Sequence, residues 1–480
     1  MRRVRCKSYG SFLSAVFNTV FHPVIQSLKL CSRHIAGVRV LFKKSVASTV
    51  FVTIVLVGLV VIELSHDVFI KTIFERHKLN TRQFIPHVNS SSTNLVRHIE
   101  KVDSKLLVPY SNSTSDFNNI SHLANDLRAK LALADHVTDI DNITSRCQQL
   151  GIVYPGECNA TVSGERCLHA AIPDDVVTRL EHLVLNKRLQ VPETYLRAIQ
   201  HLTDQLDRDY EVIIVSALSS NHFNETQAML SDLHEFVFPI LKDFRLVLFD
   251  IGLKVEEREE MEKHCRCTVI IFPFDQFPKH FEEYLKCYSW KPVVVKAVYA
   301  RANVVVWMDA SVRFTIPKAL QDIIARVKVQ GVLQRRPGFN ISNPYFTLPQ
   351  MFEYFGDSPC AHLPFYQVES GFGVYHREPL IEQALINPWV ACALNPECSC
   401  PVDPRTVKKC PHGFNPREFG HCMRNDQSSL TIILGKLFRE KYLYFAVPTD
   451  GTVDIERGDR LEYFKILDGE NAETKNSSIV

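Results

Sequence analysis

The sequence has almost no net charge: 55 Lys and Arg against 53 Asp and Glu leave +2 over 480 residues. Binding nucleic acid through its phosphates needs a basic excess, and a solvating disordered tail needs charge of one sign, so neither class fits the chain as a whole. There is no internal repeat, which removes solenoids and propellers. The cysteines lack the paired Cys-x-x-Cys spacing of structural zinc modules. Acid is missing altogether at the beginning: nine Lys or Arg residues lie between Arg2 and Lys44, yet no Asp or Glu precedes Glu63.

Beyond that basic segment the chain turns apolar. "VASTVFVTIVLVGLVVI", Val46 to Ile62, carries no charge and is closed by Glu63, His66 and Asp67. A run near the lower end of roughly 17–25 residues can cross a bilayer. It starts too far in and runs too long for a cleaved signal peptide, and a buried core helix would show some polar face. The prediction is a signal-anchor transmembrane helix over 46–64 with a basic cytoplasmic tail at 1–45, placing everything later outside the cytosol. The shortness of the span favours a thin internal membrane such as the Golgi.

Two features agree with that type II topology. Asn-x-Ser/Thr acceptors stand at Asn89, Asn112, Asn119, Asn142, Asn159, Asn224, Asn340 and Asn476, all beyond the span. Of 14 cysteines only Cys6 and Cys31 precede it, leaving an even number able to pair in an oxidising lumen. Disulfides suit the group Cys392, Cys398, Cys400 and Cys410 better than zinc. Cys265 and Cys267 stand too close to favour pairing with each other.

Residues 65–205 read as a lumenal stem leading into the main domain. "NSSSTN" and "YSNSTSDFNNIS" are polar and turn-forming, with helical spacing interposed at 119–135 and 174–207. From Tyr210 short apolar runs alternate with helices: "YEVIIVSALSS", "FRLVLFDIG", "TVIIFPFD" and "NVVVWMDASVRF". Continuous apolar strands between helices predict an α/β, doubly wound, mostly parallel, Rossmann-like sheet covered on both faces, over 206–465 with a tail at 466–480. Ligands of such sheets bind beyond the carboxyl ends of the strands. Asp309 stands where the last of these strands ends, and a carboxylate there can hold Mg²⁺ or Mn²⁺ through oxygen. An ordinary strand-end aspartate capping a turn remains the alternative.

The stretch "YSWKPVVVKAVYARANVVVWMDASVRF" resembles the region of GT-A glycosyltransferases where a helix leads into an apolar strand and a DxD-type motif. It is more closely similar to an uncharacterised invertebrate domain family grouped with the nucleotide-diphospho-sugar transferases, over about residues 205 to 450. The resemblance implies a GT-A-like fold in which Asp309 faces a nucleotide-sugar donor and its metal. Ser311 replaces the second acid of the motif, so Mn or Mg would depend on Asp309, Ser311 and His421. The donor side would also include Arg313, Lys296 and Trp307, the last sharing a strand face with Asp309. "QVESGFGVYHREPLI" resembles the acceptor-side strand and turn of such enzymes, with Glu369, Ser370 and Gly371 at the turn. "HCMRNDQSSLTIIL" resembles their late helix start, where Asp426 is either a catalytic acid or a helix cap. Glu369 or Asp426 would be the base of an inverting reaction or the stabilising carboxylate of a retaining one. The expected partners are a membrane, a nucleotide-sugar donor and a glycan or glycoprotein acceptor. The other reading is an inactive transferase fold acting as a glycan- or protein-binding membrane glycoprotein.

Overall fold

Alternation of apolar side chains along the central strands places each on one of two cores. Val305 and Trp307 join one cluster with Ile213 and Val215, while Val304, Val306 and Met308 join the other with Val212 and Ile214. Both faces are therefore covered, which is why these runs are apolar throughout. Val304, Val305 and Val306 are wholly buried, each stabilising by roughly 1.5–3 kcal/mol relative to exposure.

The computed structural model describes residues 120–134, 173, 175–314, 316, 318–336, 342–363, 365–403, 406, 410, 420, 422–447 and 453–469, all in one unit spanning Ser113–Val480. The span at 46–64, His421 and the acceptors Asn89, Asn112, Asn119, Asn142, Asn159, Asn340 and Asn476 lie outside the described residues. No helix among the described residues is long and apolar enough to cross a membrane.

The strands are β1 (Tyr210–Leu218), β2 (Phe244–Asp250), β3 (Thr268–Ile271), β4 (Ala302–Met308), β5 (Val312–Phe314), β6 (Val332–Arg335), β7 (Glu369–His376), β8 (Ala446–Val447) and β9 (Val453–Ile455). Seven of them form one sheet in the order β3-β2-β1-β4-β7-β6-β8, and β5 pairs with β9 apart from it. Every pairing in the large sheet is parallel except the two that β7 makes, with β4 and with β6. The fold is thus α/β with a mostly parallel sheet. The strand order reverses direction between β1 and β4, the switch point beyond whose carboxyl ends ligands of such sheets bind.

The longer helices are α1 (Ile120–Leu133), α2 (Val176–Val184), α3 (Glu193–Thr203), α4 (Phe223–Asp232), α5 (Val255–His264), α6 (Trp290–Tyr299), α7 (Ala319–Gln330), α8 (Asn387–Leu394) and α9 (Asn425–Phe438). Helices α6, α8 and α9 pack on one face of the sheet, and α4, α5 and α7 on the other. Leu123 and Leu127 of α1, Leu180 and Leu183 of α2, and Leu202 of α3 are buried in the same cluster as Trp307. Both amphipathic segments thus contribute to the domain core, the second packing on the domain that follows it, as its apolar face predicts.

Disulfides join Cys287 to Cys400, Cys392 to Cys398 and Cys410 to Cys422, in keeping with the reading of that group. Cys265 and Cys267 also pair, against expectation. Arg266 between them adopts a positive φ of 53°, which turns the chain back and leaves their Cα atoms 5.1 Å apart.

Candidate functional site

β4 ends at Met308, and Asp309 is the first residue beyond it. Its backbone N–H still donates to the Gly371 carbonyl of β7 at 2.7 Å, and its own carbonyl accepts from Val312 N at 3.0 Å. The strand is therefore tied to its neighbour up to its last residue and then turns sharply into β5. The Asp309 side chain is 38% exposed while Ala310 and Ser311 beside it are buried, so the turn brings one carboxylate to the surface at the carboxyl end of β4.

Behind Asp309 stands Lys291, in the first turn of α6. Pro292 comes next in the same turn, where its missing N–H leaves no helical bond unmade. The Lys291 ammonium is buried and lies 3.1 Å from Asp309 Oδ1 and 3.1 Å from Asp426 Oδ2. It also donates to the Ser370 carbonyl at 3.3 Å. Burial alone would lower its pKa, but the two carboxylates outweigh burial and hold it above the ordinary lysine range. Asp426 is pushed upward, chiefly by burial and further by Asp309, with Lys291 and a hydrogen bond from Ser370 pulling against the shift. One ammonium thus serves two carboxylates, one buried and one partly exposed.

Asp426 lies in the first turn of α9 but makes no capping bond; its side chain turns inward to Lys291. Trp307 does share the face that meets α6. It is 1% exposed, donates its indole N–H to the Ser370 carbonyl at 3.0 Å, and its ring centroid lies 5.1 Å from the Lys291 ammonium. It acts as a wall of the lysine's cage.

Glu369, Ser370 and Gly371 are not at a turn: they open β7, because strand pairing with β4 and β6 extends to them. A Cβ on Gly371 would sit 3.2 Å from Asp309 Oδ2, so the absence of a side chain there makes room for the carboxylate. Glu369 is ion-paired with Arg335 of β6. Burial lowers the Arg335 pKa despite the nearby Asp454, and Arg457 adds to the lowering.

The remaining sequence candidates are engaged elsewhere. Arg313 is buried, pairs with Asp459 at 3.2 Å and donates to the carbonyls of Ala310, Val312 and Glu225, so it fastens the turn after Asp309. Lys296, five residues along α6 from Lys291, points to Glu382 at 2.5 Å. Ser311 is buried, and its carbonyl accepts from Glu456 N at 2.7 Å. Asn224 lies in α4, half-buried, with its side-chain oxygen accepting from Gln227. Lys291 is the residue that sequence reasoning passed over. Its only signal was the apolar surroundings that α6 gives its two lysines, where burial forces a charge to find a partner.

For a divalent cation Asp309 offers a partly exposed carboxylate with one oxygen not held by Lys291. This fits an ion that takes one or two protein oxygens and completes its shell with water and phosphate.

Residues 175–296 match a family model described as "Protein of unknown function (DUF1647)". The match covers Lys291 and ends before the motif at Asp309. No curated protein matches the chain in sequence. Among solved structures it is similar to the WbbM bifunctional glycosyltransferase, at 11% identity and a TM-score of 0.31 over 50% of this chain and 39% of that one. It is also similar to mouse xyloside xylosyltransferase 1 (14%, 0.30, over 50% and 85%). A third is core-mannan synthase A from Aspergillus fumigatus in its Mn/GDP form (9%, 0.29, over 52% and 78%). The chain thus spans well under half of WbbM. At these scores the likenesses carry no weight for what the chain does.

Proposed function

We propose that this chain is a GT-A-like glycosyltransferase that moves a sugar from a nucleotide-diphosphate donor to a glycan or glycoprotein acceptor. The observation that carries the reading is the placement of Asp309, half-exposed at the carboxyl end of β4, where the sheet order reverses, and braced from within by Lys291. The resemblance of the Asp309 segment to DxD-type motifs supports it from the sequence side. The matched domain of unknown function neither adds to nor subtracts from it.

In this reading Asp309 faces the donor diphosphate, and its free oxygen would hold Mn²⁺ or Mg²⁺. When bound, the ion supplies positive charge to the departing diphosphate. Lys291 and Asp426 fix the Asp309 carboxylate in one orientation and keep its inner oxygen from solvent, so that it need not reorganise during the reaction. Glu369 opens β7 two residues before Gly371, the glycine that faces Asp309, at the point where the register with β6 shifts. It is the carboxylate placed to meet the acceptor, with Arg335 orienting it. Asp426 is too deeply buried to receive a proton from an acceptor hydroxyl, and its task is to hold Lys291.

Anchoring by a type II signal-anchor at 46–64, in the Golgi or another secretory membrane, belongs to the same proposal. The basic tail, the glycosylation acceptors and the disulfides among the described residues support it. The second reading, a non-catalytic glycan- or protein-binding module, is favoured by Ser311 in the place of an acid and by Lys291 occupying half of Asp309.

The test is a panel of nucleotide sugars offered to the purified chain with and without Mn²⁺, comparing the wild type with Asp309→Asn. Donor hydrolysis or transfer in the wild type that the variant loses, while the variant remains folded, is the expected outcome. Turnover that survives the substitution removes Asp309 from the chemistry. Partner binding without any donor turnover selects the second reading.

A further inference from the structure

The last turns of α5 carry Glu260 and His264, four residues apart and therefore on one helix face. Against them lies the short helix 463–469 with Asp468. His264 Nε2 is 3.4 Å from Glu260 Oε2 and 3.5 Å from Asp468 Oδ2, and one ligand atom from each of the three residues lies within 4.8 Å of the others. We infer that Glu260, His264 and Asp468 form a second metal site, for a zinc-type divalent cation.

Four observations carry this. The His264 side chain is 6% exposed and its Nε2 is buried, aimed between the two carboxylates and without a hydrogen bond of its own. A tetrahedral ion about 2.1 Å from each ligand sets neighbouring ligand atoms about 3.4 Å apart, which the two separations from His264 match. The imidazole is held in place by stacking on Phe464, centroids 4.9 Å apart and planes at 21°, and Lys263 grips Asp468 at 3.2 Å. The cluster also sits at the carboxyl end of α5, where the helix dipole favours a cation.

One nitrogen and two carboxylate oxygens, with a fourth place for water, suit Zn²⁺ and its imidazole-preferring neighbours over Mg²⁺ or Ca²⁺. Cys265 and Cys267 are joined in a disulfide and supply no thiolate. α5 runs from the carboxyl end of β2 back to the amino end of β3, so His264 lies at the opposite edge of the sheet from Asp309. The site is therefore independent of the sugar-transfer reading. Its ion would clamp the helix at 463–469 onto α5.

The experiment is zinc titration of the metal-stripped, purified full chain against a chromophoric chelator. One equivalent should bind in the presence of millimolar Mg²⁺. His264→Gln should abolish binding, and Glu260→Gln and Asp468→Asn should each weaken it by at least the roughly tenfold that even an outer partner is worth. Asp309→Asn should leave it unchanged. No zinc bound by the wild type overturns the site, as does loss of zinc in Asp309→Asn. Should His264→Gln fail to fold, the two exposed carboxylates decide: undiminished affinity in both variants also overturns it.

Discussion

Replacing Lys291 by methionine keeps the length and apolar stem of the side chain and removes its charge. Asp309 and Asp426 then face each other with nothing between them. Each has an oxygen 3.1 Å from the ammonium, so those oxygens are at most roughly 6 Å apart. At an effective dielectric of about 20, two charges at that separation repel by about 3 kcal/mol. Removing one partner of a buried ion pair typically costs about 3–5 kcal/mol, so the two routes agree. Urea denaturation at pH 7 should show a loss of that size for Lys291→Met. Adding Asp426→Asn should restore most of it, because the buried partner no longer carries charge. The sign with pH comes from the same placement. Burial already lifts the Asp426 carboxyl, and losing the ammonium lifts it further, so the folded state of the variant prefers the protonated form. Its deficit should shrink as pH falls and grow as pH rises. A Lys291→Met chain within about 1 kcal/mol of wild type, or a double variant no better than the single, would refute the shared-cation account.

Gly371→Ala places a methyl 3.2 Å from Asp309 Oδ2 and 3.6 Å from Ile455 Cδ1. Nucleotide-sugar affinity, read by calorimetry, should fall by about tenfold with stability changed by no more than about 1 kcal/mol, and wild-type affinity would contradict this. Asp232, which accepts from Phe314 N at 2.9 Å, is lifted by burial from 3.8 to about 6 against the pull of that bond and of Arg313. Its contribution is complete below about pH 4 and is lost as pH rises through about 6. Asp232→Asn should therefore match wild type at pH 4 and exceed it by about 1 kcal/mol at pH 7, discounted for partial exposure; a pH-independent difference in melting would count against it. Removing the Cys287–Cys400 disulfide by double Ser substitution releases a loop of 113 residues, costing about 4–5 kcal/mol in the chain-entropy model, measurable by guanidinium unfolding.

The strands that were legible are those that read as unbroken apolar runs, buried on both faces in β1 and β4 and less so at the sheet edge in β3. β1 to β4 announce themselves as apolar runs, and α9 begins within the segment whose resemblance marks a late helix start. β7 was half-hidden because Gly371 and Gly373 interrupt its pattern, and its role depends on antiparallel pairing with β4, more than sixty residues away. Nothing local encodes that partner. Asp309 could be singled out because an apolar strand stops there. Lys291 could not be ranked by spacing, since a helical lysine is ordinarily solvated; only the packing of α6 against the sheet turns it inward. Arg313 and Lys296 have the right charge for phosphate, but Asp459 and Glu382 come from distant segments that sequence separation conceals.

The pairing of β5 with β9 has a practical consequence. Val453 to Ile455 hydrogen-bond along Val312 to Phe314, Glu456 ties down Ser311, and Gly458 N donates to Glu225 at 3.0 Å. Residues some 150 positions downstream of Asp309 thus buttress the turn that presents it. Any expression fragment trimmed before Val453 would keep the strands of the large sheet yet lose β9 and the buried Val453 and Phe464, leaving the turn at Asp309 unsupported.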